Sequence, residues 1–149
     1  MSRRQAREMA LQVLYAVEIN KTETNEAFEY VTESFGTTAG AEEFARELVS
    51  GALDNQAVLD QIIRKLSRRW DFNRLALVDR NIIRLALFEM LYREDIPKAV
   101  SVNEAVDLAK VFGGDDSARF INGILGQVAE NPEKYSEDQE SEVRSQESE

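Results

Sequence analysis

Neither cysteine nor histidine occurs anywhere in the chain. Without cysteine there is no disulfide framework, no thiolate nucleophile and no sulfur ligand for zinc. Without histidine the usual general base near neutral pH and the commonest metal ligand are both missing. Ser-His-Asp and Cys-His arrangements are therefore excluded. No uncharged apolar run approaches the about 18 residues that a membrane-spanning helix needs. The opening MSRRQAREMALQVLYAVEIN also lacks the apolar core of a signal peptide. A soluble cytoplasmic protein is expected.

What is present is enough for one domain: 149 residues, 43% of them apolar. The net charge of −10 argues against nucleic acid as a partner, because phosphate affinity comes largely from lysine and arginine. The charges are segregated, however. Residues 131–149 hold seven acids against Lys134 and Arg144, a net of −5. Between Arg64 and Arg93 eight basic residues face only Asp71, Asp79 and Glu89, a net of +5. Arg3, Arg4 and Arg7 add a second basic island. An acidic chain with two basic islands is compatible with RNA binding without requiring it.

Apolar spacing predicts helix almost throughout. Ala6, Ala10, Val13, Leu14 and Val17 share one face of a first helix. Thr22 or Thr24 is the expected cap of a second, with Phe28, Val31 and Phe35 as its buried stripe. After the break GTTAG at 36–40, one long helix is expected, burying Phe44, Leu48, Ala52, Leu59, Ile62, Ile63 and Leu66. Trp70 and Phe72 fall in the next connection, and Leu75 to Tyr92 resumes the pattern through Val78, Ile82, Leu85 and Ala86. Ile96-Pro97 stops that helix. Ser101 with Glu104 three residues on has the form of a capping box, opening a helix that buries Val102, Ala105, Leu108, Ala109 and Phe112. Gly113-Gly114 ends it. Asp115-Asp116-Ser117 caps a last helix carrying Phe120, Ile121, Ile124, Leu125 and Val128, which Asn131-Pro132 closes. Six or seven helices and no strand predict an all-α bundle over residues 1–132, followed by a disordered acidic tail over 133–149.

Three stretches carry a resemblance: RRQARE at 3–8 running into ALQVLYAVE, LVDRNIIRLALFEM followed by DIPKAVSVNEAVDLAKVFG, and DDSARFINGIL. Their order and spacing over residues 3–128 resemble the NusB family. The resemblance implies two packed three-helix subdomains. It also implies a role in transcription antitermination: pairing with the ribosomal protein NusE, binding the boxA element of nascent ribosomal transcripts, and joining the antitermination complex on RNA polymerase. It permits monomers and homodimers. No catalytic group, cofactor or metal is implied.

Three groups are candidates for RNA contact. Arg3 and Arg7 lie one helical turn apart, while Tyr15, eleven residues after Arg4, falls within about 20° of its face. Guanidinium groups meet phosphate, and an aromatic beside them can stack on an unpaired base. Solvated arginines and a half-buried rim tyrosine are the plain alternative. Asp79 and Arg84 match positions that in the family lie near the RNA, although an intrahelical ion pair of Asp79 with Arg80 or a four-apart partner is an equally good reading. Asp116, Arg119 and Phe120 are placed beside the RNA path by the same resemblance, against the alternatives of a helix cap and a core aromatic. Asn122 and Gly123 are expected to serve close helix packing. Glu89, on the apolar face, reads as a satisfied buried carboxylate rather than a catalytic one. Gly113-Gly114 lacks the Gly-Lys-Ser/Thr of a phosphate loop.

Two other readings compete. One is a protein–protein adaptor without RNA binding. The other is an RNA-targeting domain acting with a separate ribosomal RNA methyltransferase, since only the acidic tail follows residue 130 here.

Overall fold

A computed structural model describes residues 3–36, 39–67 and 75–135, with the side chain of Phe35 excepted. Thr37, Thr38, Trp70, Phe72 and the acidic segment from 136 onward lie outside the described residues, as do the expectations made for them. The described residues form seven α-helices and no strand. They are α1 (Arg3–Asn20), α2 (Thr24–Phe35), α3 (Ala39–Asp54), α4 (Gln56–Leu66), α5 (Leu77–Tyr92), α6 (Lys98–Phe112) and α7 (Asp115–Glu130). A single helical turn over 132–135 follows, and its Tyr135 is buried, so packed structure runs past residue 132.

The chain divides after Asp54 into two compact units. Among the described residues the first carries three helices and the second four, where the resemblance implies three and three. The difference arises at Asn55. A long helix was expected there, but Asp54 ends α3 and Asn55, at φ −111° and ψ 16°, precedes α4. Ala52 and Leu59 stand seven residues apart, two full turns, so the apolar stripe keeps its phase across the break and periodicity cannot register it.

In the first unit α1 packs on α2 and α3. Ala6, Met9, Ala10, Val13 and Leu14 of α1 are buried, as are Phe28 and Val31 of α2 and Phe44, Ala45, Leu48 and Ala52 of α3. The cap of α2 is Glu23, not a threonine: its carboxylate accepts from the Glu26 N–H at 3.3 Å. Gly36 closes α2 in the left-handed region at φ 60°, where a side chain would be strained.

In the second unit α5 packs against α4, α6 and α7, and α6 against α7. Residues 81–90 of α5 are buried without interruption, so this helix is covered on every side. The helix α6 starts three residues before the expected capping box. Pro97, at φ −58° and ψ 137°, precedes it, and Ser101 lies inside it. The Ser101 hydroxyl donates to Glu89 Oε1 of α5 at 3.0 Å instead of capping a helix end. Glu89 is thus a buried, hydrogen-bonded carboxylate as expected, although this partner is a serine hydroxyl and not the backbone donor or arginine its position suggests. Phe112, expected in the core, is 38% exposed at the end of α6.

Candidate nucleic-acid interface

The first basic island opens α1. Arg3 and Arg4 are exposed, whereas Arg7 is only 4% exposed. The guanidinium carbons of Arg3 and Arg7 stand 4.4 Å and 5.6 Å from the ring centroid of Phe44 on α3. Both cations thus share one aromatic ring. Each such contact contributes about 0.5–2 kcal/mol, more as the cation is desolvated. Arg7 is accordingly a staple between α1 and α3, and the surface charge of this helix start belongs to Arg3 and Arg4. Tyr15 is 44% exposed further along α1, followed one turn later by exposed Ile19. The one-sided placement of Arg4 and Tyr15 expected from helical geometry therefore coincides with exposure of both.

In the second unit the candidates sort differently. Arg84 is 4% exposed and held by Asp60 of α4, with Nε donating to Oδ1 at 2.7 Å and Nη2 to Oδ2 at 2.9 Å. Its Nη1 donates to Asn81 Oδ1 at 2.9 Å. This is an ion pair between helices, not the intrahelical one weighed from sequence, and it leaves the guanidinium facing the core. Asp79 is buried in the first turn of α5, accepting from Ser117 Oγ of α7 at 3.2 Å. Burial pushes its carboxyl above the ordinary value of 3.8, and the Ser117 hydrogen bond pulls it partly back.

Asp116 and Arg119 lie on the first turns of α7, both strongly exposed, and form an i,i+3 ion pair with each other. Asp116 does not cap the helix. Gly114 occupies that position, and Asp115 and Asp116 are inside the first turn, where negative charge suits the helix dipole. Phe120 is half-buried next to them. Asn122 and Gly123, expected to pack closely, are exposed, and a Cβ on Gly123 would meet nothing within 4 Å. Asn122 and Arg119 instead line an open groove of about 790 Å³ together with Asn103 and Lys110 of α6.

Three features escaped the sequence reading: Asp60 as the partner of Arg84, Phe44 as the platform for two arginines, and Ser117 as the donor to Asp79. The first left a trace, since Asp60 sits between Leu59 and Ile62 on a buried face. A carboxylate on such a face calls for a cationic or hydroxyl partner elsewhere in the fold. Among the described residues no group of three or more His, Cys, Asp or Glu side chains could hold a metal ion. No described helix is long and apolar enough to cross a membrane.

The family model described as the NusB family matches residues 4–130. The transcription antitermination protein NusB of Pelotomaculum thermopropionicum is 55% identical over 135 residues, spanning 91% of this chain and 94% of its own. Among solved structures, T. maritima NusB superposes with a TM-score of 0.81 at 32% identity, over 92% of this chain and 98% of that one. A crystal structure of the antitermination factors NusB and NusE in complex with dsRNA gives a TM-score of 0.78 at 29% identity, over 86% of this chain and 96% of that one.

Proposed function

This chain belongs to the NusB family, and from that premise we propose that it is a cytoplasmic transcription antitermination factor. It pairs with the ribosomal protein NusE, binds a boxA-type single strand of nascent RNA, and works within the antitermination complex on RNA polymerase. It is a binding module and carries out no reaction. Its relatives are antitermination proteins, and Glu89, the most buried carboxylate among the described residues, is engaged by a serine hydroxyl.

The observation that carries the RNA reading is the exposure of Arg4 and Tyr15 on one side of α1, with exposed Arg3 about 100° round the helix from Arg4. Two guanidinium groups supply attraction to phosphate, and an exposed phenol ring one side of the same helix offers a stacking face. Arg119 and Phe120 at the start of α7 supply a second such pair of cation and aromatic. Arg7 and Arg84 are core residues, the first holding α1 on α3 in the first unit and the second holding α4 on α5 in the second unit. Either surface alone gives modest affinity. A second protein bound alongside raises it by joining weak contacts into one complex, which accounts for the need for NusE.

Photo-crosslinking of a 4-thiouridine boxA strand to the full chain with NusE, followed by peptide mapping, tests the assignment. Adducts are expected on 3–20 and on 115–120. Adducts confined to NusE would leave this chain a protein–protein adaptor.

A further inference from the structure

Asp79 has the sequence position of an RNA contact and the surroundings of something else. It is 9% exposed, and its carboxylate faces α7. One oxygen, Oδ2, accepts from Ser117 Oγ at 3.2 Å, while Oδ1 is buried with no hydrogen-bond partner. An orphaned oxygen on a buried carboxylate is costly. An apolar side chain at this position would avoid that cost but would give up the hydrogen bond to Ser117.

Ser117 is held from a second side. A Cβ on Gly113, where α6 ends, would stand 2.6 Å from Ser117 Oγ and 2.8 Å from its Cβ. A side chain at 113 would therefore force a shift at Ser117, the residue that donates to Asp79. Ser117 belongs to the first turn of α7, immediately after Asp116 and just before Arg119 and Phe120.

We infer that Asp79 is a positioning residue: through Ser117 it fixes the first turn of α7, so that Arg119 and Phe120 meet RNA in a set geometry while Asp79 itself makes no RNA contact. The inference rests on the RNA reading above. It moves Asp79 from the binding surface to the support beneath it.

The test measures fluorescence anisotropy of a labelled boxA single strand with NusE and the full-length chain. Asp79→Ala and Ser117→Ala are each expected to weaken binding roughly three- to tenfold, the worth of one hydrogen bond to a charged or neutral group. The double variant should be no weaker than either single one, because both act through one contact. Asp79→Asn keeps an acceptor for Ser117 and should stay within about twofold of wild type. The salt slope should be unchanged in all of them, whereas Arg119→Ala should reduce it by about 0.7. Without RNA, hydrogen exchange should quicken over 115–120 in Asp79→Ala and remain slow over 121–130. Ser117→Ala carries the same test should Asp79→Ala fold poorly. Additive losses, or Asp79→Asn as weak as Asp79→Ala, would place the carboxylate on the RNA and overturn the inference. Undiminished binding by Asp79→Ala and Ser117→Ala would overturn it and leave the RNA reading intact. A wild-type chain that binds no RNA would overturn both.

Discussion

Arg84 and Asp60 meet in a two-pronged ion pair inside the second unit, joining α5 to α4 with nitrogen–oxygen distances of 2.7 Å and 2.9 Å. Two parallel N–H···O bonds fix the angle of the guanidinium as well as its distance. Removing one partner strands the other charge in the core, at a cost of about 3–5 kcal/mol. Arg84→Ala and Asp60→Ala should therefore each lower the urea midpoint sharply. The double variant should lose less than the sum of the two. If Arg84→Ala instead kept wild-type stability and lost RNA affinity, Arg84 would belong to the binding surface after all.

The three arginines of α1 should separate by assay. Arg3→Ala and Arg4→Ala remove exposed charge, so each should weaken RNA binding and reduce the salt slope by about 0.7, and for Arg4→Ala stability should change by no more than about 0.5 kcal/mol. For Arg3 the loss of its Phe44 contact adds to that stability change. Arg7→Ala should act mainly on stability, by about 1–3 kcal/mol, through lost packing on Phe44. Salt-dependent binding titrations beside thermal melts distinguish the two classes.

Stability should carry the mark of Asp79 in its dependence on pH. Burial raises the native carboxyl above 3.8, so the folded chain holds that proton more tightly than the unfolded one. The contribution of this group is fully favourable below 3.8 and falls as pH rises through the raised native value. Asp79→Asn removes the titration. Its stability relative to wild type should rise across that window and level off above it. Ser117→Ala deletes the bond that favours the ionised form, and should extend the falling limb to higher pH. Urea unfolding of the three proteins over a pH series reads both effects.

Most of the architecture is legible in the sequence because amphipathic helices announce themselves by spacing. Ala10, Val13, Phe28, Leu48, Leu59, Ile62, Ile82, Leu108, Ile121 and Leu125 are all buried as their periodicity requires. Boundaries are less legible. The break at Asn55 keeps the stripe in phase, and Ser101 with Glu104 imitates a cap while Ser101 serves Glu89 across a helix interface. The candidate site is legible by residue type and not by exposure. Arg3, Arg4 and Arg7 look alike in sequence, and only the fold shows that Arg7 is the buried one. Arg84 and Asp79 likewise carry the charge of contact residues, yet their partners lie 24 and 38 residues away, beyond the reach of local pattern. Long-range polar pairing is what spacing rules cannot express.

The central claim is that this chain and NusE together hold a boxA single strand. The direct measurement is fluorescence anisotropy of labelled boxA RNA over a salt series, with the chain alone, with NusE alone and with both. A sequence-scrambled strand and a duplex serve as competitors. Weak binding by either protein alone is expected, and binding at least about tenfold tighter by the pair. The pair's affinity should fall with salt, drop on Arg3→Ala/Arg4→Ala, and resist the duplex, which offers Tyr15 no unstacked base. A pair that forms normally yet binds boxA no better than NusE alone would contradict the claim and leave a protein adaptor.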